Sequence, residues 1–114
     1  MTRAAPERTI QIAIKRRLAL SGVVCCHTPN ASKRSVIAGR MLKAEGMITG
    51  FPDLTVIGPS GRVAFLEVKA EKGRTSPAQE DILAMLQRMG HAVAVVRSQD
   101  DAVAALQEWG WPVR

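Results

Sequence analysis

PDLTVIGPSGRVAFLEVK, the stretch from Pro52 to Lys69, sets the reading of this chain. Leu54-Thr55-Val56-Ile57 is a short β-prone run, and Gly58-Pro59-Ser60-Gly61 has the turn chemistry of a hairpin loop. Arg62 to Lys69 then reads as the returning strand. Residues two apart on a strand share a face, so Glu67 and Lys69 project together while Val68 is buried on the other side. With 54–57 and 62–69 paired as a hairpin, Asp53 lies at the strand start and comes near Glu67. Two carboxylates and an ammonium converge at one edge of a sheet.

Outward from this hairpin the chain alternates helix and strand. Upstream, Pro6 suits the first turn of a helix whose Ile10, Ala13, Ile14 and Leu18 fall on one face, and Gly22 is placed to end it. Val23 to Cys26 is a short strand closed by Thr28-Pro29-Asn30, and Ser32 can cap a second helix over roughly 33–45, ending at Gly46. Thr49-Gly50-Phe51-Pro52 is a turn into the hairpin. Downstream, Ser76-Pro77-Ala78-Gln79 has the form of a helix start, with Ser76 as cap and Gln79 at the capping-box position. Ile82, Leu83, Leu86 and Met89 give that helix an apolar face, and Gly90 ends it. Ala92 to Val96 is nearly all apolar, as expected of a strand buried on both faces. A last helix opens at Ser98 and Asp101 and runs to about Glu108. The expected order is α-β-α-β-β-α-β-α around a central mixed sheet, with a crossover from 62–69 through 76–89 to 92–96 long enough for parallel pairing.

At 114 residues the chain is expected to form a single domain spanning 1–114, with a core of Ile, Leu, Val, Met and Ala, since it holds no Tyr and only two Phe and two Trp. No apolar run approaches the length of a membrane span, and the amino terminus lacks a signal-peptide core. The only cysteines, Cys25 and Cys26, are adjacent, so neither a disulfide framework nor a zinc site is expected. These features point to a reduced, cytoplasmic protein without a membrane partner. The net charge of +6 is uneven: residues 1–43 carry nine Lys or Arg against Glu7, and residues 44–114 carry seven against nine acids. A basic half beside an acidic half suits a polyanion-binding surface next to a site that needs carboxylates, although a basic surface can also be merely solvated.

Paired carboxylates repel unless a cation lies between them, and oxygen donors favour Mg²⁺ or Mn²⁺ over softer metals. Such a cation can neutralise a phosphodiester, position water and lower its pKa. Lys69 can orient that water or stabilise charge developing on phosphorus-bound oxygens. The same letters would also suit an exposed hairpin with ordinary cross-strand charge pairs.

Gly50-Phe51-Pro52-Asp53 followed by Glu67-Val68-Lys69 resembles the PD-(D/E)xK nuclease motif, with Glu in the variable position. More narrowly, Glu7 in the first helix, Pro52-Asp53, Glu67-Val68-Lys69 and Ser76-Pro77-Ala78-Gln79 resemble the VRR-NUC family. Pro29-Asn30 through Arg40, Lys43-Ala44-Glu45-Gly46 and Gly50 resemble its small stand-alone members of phages and bacteria. The resemblance runs from about Glu7 to Asp101. It implies a restriction-endonuclease-like α/β fold and divalent-metal hydrolysis of DNA phosphodiesters by Asp53, Glu67, Lys69 and Gln79. Glu7, Asp53, Glu67 and the backbone carbonyl of Val68 would hold Mg²⁺ or Mn²⁺, and Lys69 would serve the attacking water. It further implies a homodimer and selectivity for branched DNA such as Holliday junctions. A non-catalytic DNA- or junction-binding module on a nuclease fold is the alternative.

Individual residues carry rival roles. Glu7 lies in a first helical turn, where the dipole favours an acid in any protein. Gln11, one turn on, can share its surface. Gln79 can serve the capping box with Ser76, the site, or both. Lys33, Arg34, Arg40 and Lys43, on or just before the second helix, are expected to contact DNA phosphates. Lys15-Arg16-Arg17 reads as a solvated face, His27 as a satisfied residue rather than a ligand, and Cys25 and Cys26 as packing residues. Trp109 and Trp111 are expected to cover the core or a subunit contact. Val96-Arg97-Ser98 carries no assigned role.

Overall fold

The computed structural model describes residues 5–28 and 36–114. Four helices and four strands follow the expected order: α1 Ala5–Ala19, β1 Val24–His27, α2 Val36–Ala44, β2 Leu54–Ile57, β3 Val63–Val68, α3 Pro77–Arg88, β4 Ala92–Val96 and α4 Gln99–Glu108. The strands form one mixed sheet in the order β1-β2-β3-β4. β1 and β2 pair antiparallel, as do β2 and β3, whereas β3 and β4 pair parallel through the α3 crossover. Among the described residues no helix is long and apolar enough to cross a membrane.

Alternation along the strands separates two faces. Cys25, Leu54, Val56, Ala64, Leu66 and Val68 are buried toward α1 and α4, where Ile14, Leu18, Ala102 and Leu106 complete the main core. The helical face expected from Ile10, Ile14 and Leu18 is therefore the face that packs. Trp111 belongs to this core as well, and its ring lies so close to Gly58 that a Cβ there would meet it at 2.6 Å. Phe65 points to the opposite face, where its ring meets Phe51 and His91 edge-on with centroids 5.6 and 5.5 Å away.

One expectation is corrected. Ala92–Val96 is not a strand buried on both faces: it is the sheet edge, with only Val96 buried and Val95 38% exposed. The fully enclosed strand is β3, buried from Ala64 to Val68, because it alone runs between an antiparallel and a parallel neighbour beneath helices. Apolar letters do not distinguish the two cases, since a strand's place in the sheet is fixed by topology. β3 is correspondingly not an exposed hairpin arm. Helix α2 makes no extensive contact with another described element, and Ile37 and Met41, one turn apart, are exposed. Ser32, Lys33, Arg34 and the Pro29-Asn30 turn lie outside the described residues.

Candidate active site

The β2–β3 register explains how Asp53 meets Glu67. Leu54 opposes Leu66, so one step further Asp53 opposes Glu67, and a second step sets Pro52 opposite Val68. Directly opposed residues of an antiparallel pair share a face with Cβ atoms about 5 Å apart. Gly58 N–H donates to Arg62 C=O, which fixes the phase of the ladder: Val68 falls at a hydrogen-bonded position facing Pro52. Proline has no N–H. The Val68 carbonyl thus gets no donor from the opposing residue, and the Val68 N–H donates to Asp53 Oδ2 at 2.8 Å. That distance is typical of a charge-assisted bond. A carboxylate and a main-chain carbonyl are left on the same side of one strand end, a pairing that the Pro-Asp order produces.

Asp53 is also held through its main chain. Its carbonyl accepts from Thr28 N–H at 2.8 Å and lies 3.1 Å from His27 Nδ1. His27 is thereby a satisfied residue, as expected. Behind Asp53, Gly50 adopts φ +84° and approaches α3 so closely that a Cβ would meet the Ala78 carbonyl carbon at 2.6 Å. This contact sets the loop carrying Asp53 against the first turn of α3, where Gln79 resides.

Glu67 is 1% exposed, and its Oε2 is shielded from solvent. Its Oε1 accepts from Gln79 Nε2 at 3.4 Å. Both ends of the Gln79 amide are engaged: while Nε2 donates to Glu67, Oε1 accepts from Ser76 N–H at 2.8 Å and the Gln79 N–H donates to Ser76 Oγ at 3.2 Å, completing the capping box. Lys69 is half-buried just past the strand, with its N–H on Val96 C=O at 3.0 Å. By alternation it shares the Glu67 face.

Glu7 reaches the same strand end from α1, its Oε2 accepting from Ala70 N–H at 3.4 Å. Asp53 and Glu7 therefore meet Val68 and Ala70 at the end of the strand that carries Glu67, but the three acids do not form a ready cage. Among the described residues no three His, Cys, Asp or Glu side chains are grouped at metal-holding spacing. The donor chemistry nonetheless fits a hard cation: Mg²⁺ commonly takes one or two carboxylates and keeps several waters. Asp53, Glu67 and the Val68 carbonyl supply that kind of set.

Arg40 and Lys43 are exposed on α2. Lys33 and Arg34 lie outside the described residues. Cys25 is in the core, where burial pushes its thiol up to about 11 against a smaller opposing pull from Lys15; Cys26 is exposed rather than packed.

The VRR-NUC domain model matches residues 5–100, a span that contains every residue of this cluster. The chain is a member of the VRR-NUC family. A solved structure described as a VRR_NUC domain is similar with a TM-score of 0.68 and 29% identity, covering 92% of this chain and 97% of that one. A second, described as a VRR_NUC domain protein, gives a TM-score of 0.69 at 18% identity over 95% of this chain and 90% of that one, which speaks to the fold. No curated protein matches the sequence. This VRR-NUC chain accordingly has the mixed α/β nuclease fold.

Arg97, given no role from the sequence, makes several contacts beside this cluster. Its guanidinium Nη1 donates to the carbonyls of Ala70 at 2.6 Å, Gly73 at 2.7 Å and Glu71 at 3.3 Å. The available signal was positional, because a parallel neighbour ends beside the strand that carries Glu67 and Lys69.

Proposed function

We propose that this VRR-NUC domain is a divalent-metal-dependent DNA nuclease that hydrolyses phosphodiester bonds and prefers branched substrates such as Holliday junctions. One observation supports the reading: the Asp53 carboxylate takes the Val68 N–H, and continuing the β2–β3 register past Leu54 and Leu66 sets the Pro-Asp pair against Val68 and Glu67. Glu67 is enclosed on the Asp53 side of the strand, and two oxygen-donor acids at one strand end suit a hard cation.

Asp53, Glu67 and the Val68 carbonyl would hold Mg²⁺ or Mn²⁺, with Glu7 as the fourth oxygen donor of the set. When bound, the ion supplies charge neutralisation of the phosphodiester and acidifies water. Lys69 orients the attacking water on the Glu67 face and stabilises negative charge building on the phosphoryl oxygens. Gln79 holds the Glu67 carboxylate in one orientation from α3. Arg40 and Lys43, with Lys33 and Arg34, give DNA phosphates a cationic approach. The uncovered apolar side of α2, Ile37 and Met41, favours a homodimer, which would present two sites to a four-way junction.

The test is a panel of end-labelled linear duplex, flap, splayed-arm and four-way junction DNA incubated with Mg²⁺ or Mn²⁺. Cleavage that disappears in EDTA and in Asp53→Ala, Glu67→Ala and Lys69→Ala, with folding retained, is expected. Undiminished cleavage in EDTA rejects the metal. Salt-sensitive, metal-independent binding without product on any substrate favours a junction-binding module instead. Light scattering at micromolar concentration decides between monomer and dimer.

A further inference from the structure

We propose that Arg97 is a positioning residue for this site, acting through the 70–73 loop on Glu7; the inference rests on the nuclease reading above. The loop leaves β3 one residue beyond Lys69 and turns back at once, with Gly73 N–H donating to Ala70 C=O at 2.9 Å. The tight turn brings the carbonyl oxygens of Ala70, Glu71 and Gly73 toward one point, where their dipoles repel. The Arg97 guanidinium fills that point and gathers all three, two of them at 2.6 and 2.7 Å. All three contacts run through one nitrogen, Nη1, whose two N–H groups serve the Ala70 and Gly73 carbonyls while Glu71 stands further off, and the guanidinium keeps its charge at any working pH.

The root of Arg97 is itself fixed. Its main-chain N–H donates to Asp101 Oδ2 at 2.9 Å, and Asp101 N–H donates to Ser98 Oγ at 3.0 Å, so the residue is tied to the start of α4. One residue before it, Val96 C=O accepts from Lys69 N–H. Arg97 thus grips the loop from a point joined to the end of β3 on one side and to the start of α4 on the other.

The gripped loop has a second contact, and that contact is acidic. Ala70 N–H meets Glu7 Oε2 at 3.4 Å, and Gly73 lies so near the same oxygen that a Cβ there would be 3.3 Å from it. Opening the turn would swing the Ala70 N–H away from Glu7 and loosen the residue next to Lys69. Arg97 touches neither substrate nor cation in this account; it sets the direction of two groups that do.

The experiment compares wild type, Arg97→Ala, Arg97→Lys and Glu7→Gln by native-state amide exchange at Ala70 and by single-turnover cleavage in Mn²⁺. In Arg97→Ala, Ala70 exchange should quicken about tenfold and the cleavage rate fall about tenfold, with β2 amides and DNA affinity in EDTA unchanged. Arg97→Lys should recover part of both effects, and it carries the comparison if Arg97→Ala unfolds. In the Glu7→Gln background the Arg97 substitution should add little, as expected of residues acting as a unit. Unchanged Ala70 exchange in both Arg97 variants overturns the proposal, as does an equal rate loss with and without Glu7. Should wild type cleave nothing, the nuclease reading fails on its own, and amide exchange still decides whether Arg97 governs the loop.

Discussion

The carboxylate of Asp53 accepts the main-chain N–H of Val68 at 2.8 Å, across a ladder position where the opposing residue is Pro52. Asp53 therefore lies where the β2–β3 pairing ends, with its carboxylate committed to a main-chain donor. Asp53→Asn keeps an acceptor for Val68 but gives up the charge on it. In EDTA it should melt between wild type and Asp53→Ala, while cleavage falls by about 10²-fold or more. Asp53→Ala strands the Val68 N–H and should cost about 1–3 kcal/mol. Calorimetry beside a cleavage assay checks both; an Asn variant clearly less stable than Ala would contradict the assignment.

Pro52→Ala places an N–H opposite the Val68 carbonyl. The new donor competes for an oxygen that the proposed site needs, so half-maximal cleavage should require severalfold more Mn²⁺ (on the order of 3–10-fold). A Mn²⁺ titration that superimposes on wild type would show that the Val68 carbonyl takes no part.

Gln79 permits its two bonds to be separated. Gln79→Ala loses the capping box and should destabilise by about 1 kcal/mol. Gln79→Glu can restore the box, because Glu serves at that position, yet it sets a carboxylate against Glu67. Both variants should cleave poorly. Full activity in Gln79→Glu would reduce Gln79 to a cap.

Gly50 and Gly61 both have positive φ, +84° and +73°, but only Gly50 is crowded, with Ala78 and Gln79 backbone atoms 2.6–2.9 Å from a Cβ. Gly61→Ala should cost about 1 kcal/mol from backbone strain alone. Gly50→Ala should cost about 3 kcal/mol, strain and overpacking together, and lower cleavage by displacing Asp53. Equal melting temperatures for the two variants would refute the close approach.

The buried Cys25 thiol gives a pH signature. Its folded pKa is raised from 9.0 to about 11, so the unfolded chain loses the proton first. The stability that the neutral thiol contributes is complete below pH 9 and is lost as pH rises through 11. Between these values wild type should lose melting temperature faster than Cys25→Ala. Parallel slopes for the two proteins would show that the thiol does not titrate in the fold.

Much of this was legible in the residues because short-range rules fixed it. The capping box at Ser76 and Gln79, the helical face of Ile14 and Leu18 and the hairpin around Gly58–Gly61 all depend on neighbours within a few positions. The Asp53–Glu67 meeting followed from a hairpin whose register the loop largely sets. Long-range placement was not legible. Nothing in Ala92–Val96 tells an edge strand from an enclosed one, and nothing in Arg97 announces carbonyls 24 to 27 positions earlier. The exposure of α2 was equally hidden, since Ile37 and Met41 look like any buried helical pair.

Glu7 and Ala70, hydrogen-bonded here, are separated by 63 positions, and Arg97 closes the same loop from a strand formed still later. On the proposed reading, a ribosome-bound chain that has not yet released β4 holds acidic groups without their final arrangement. On that same reading a chain broken off before Arg97 would lack the guanidinium that closes the loop, and its acids would stay without a working arrangement.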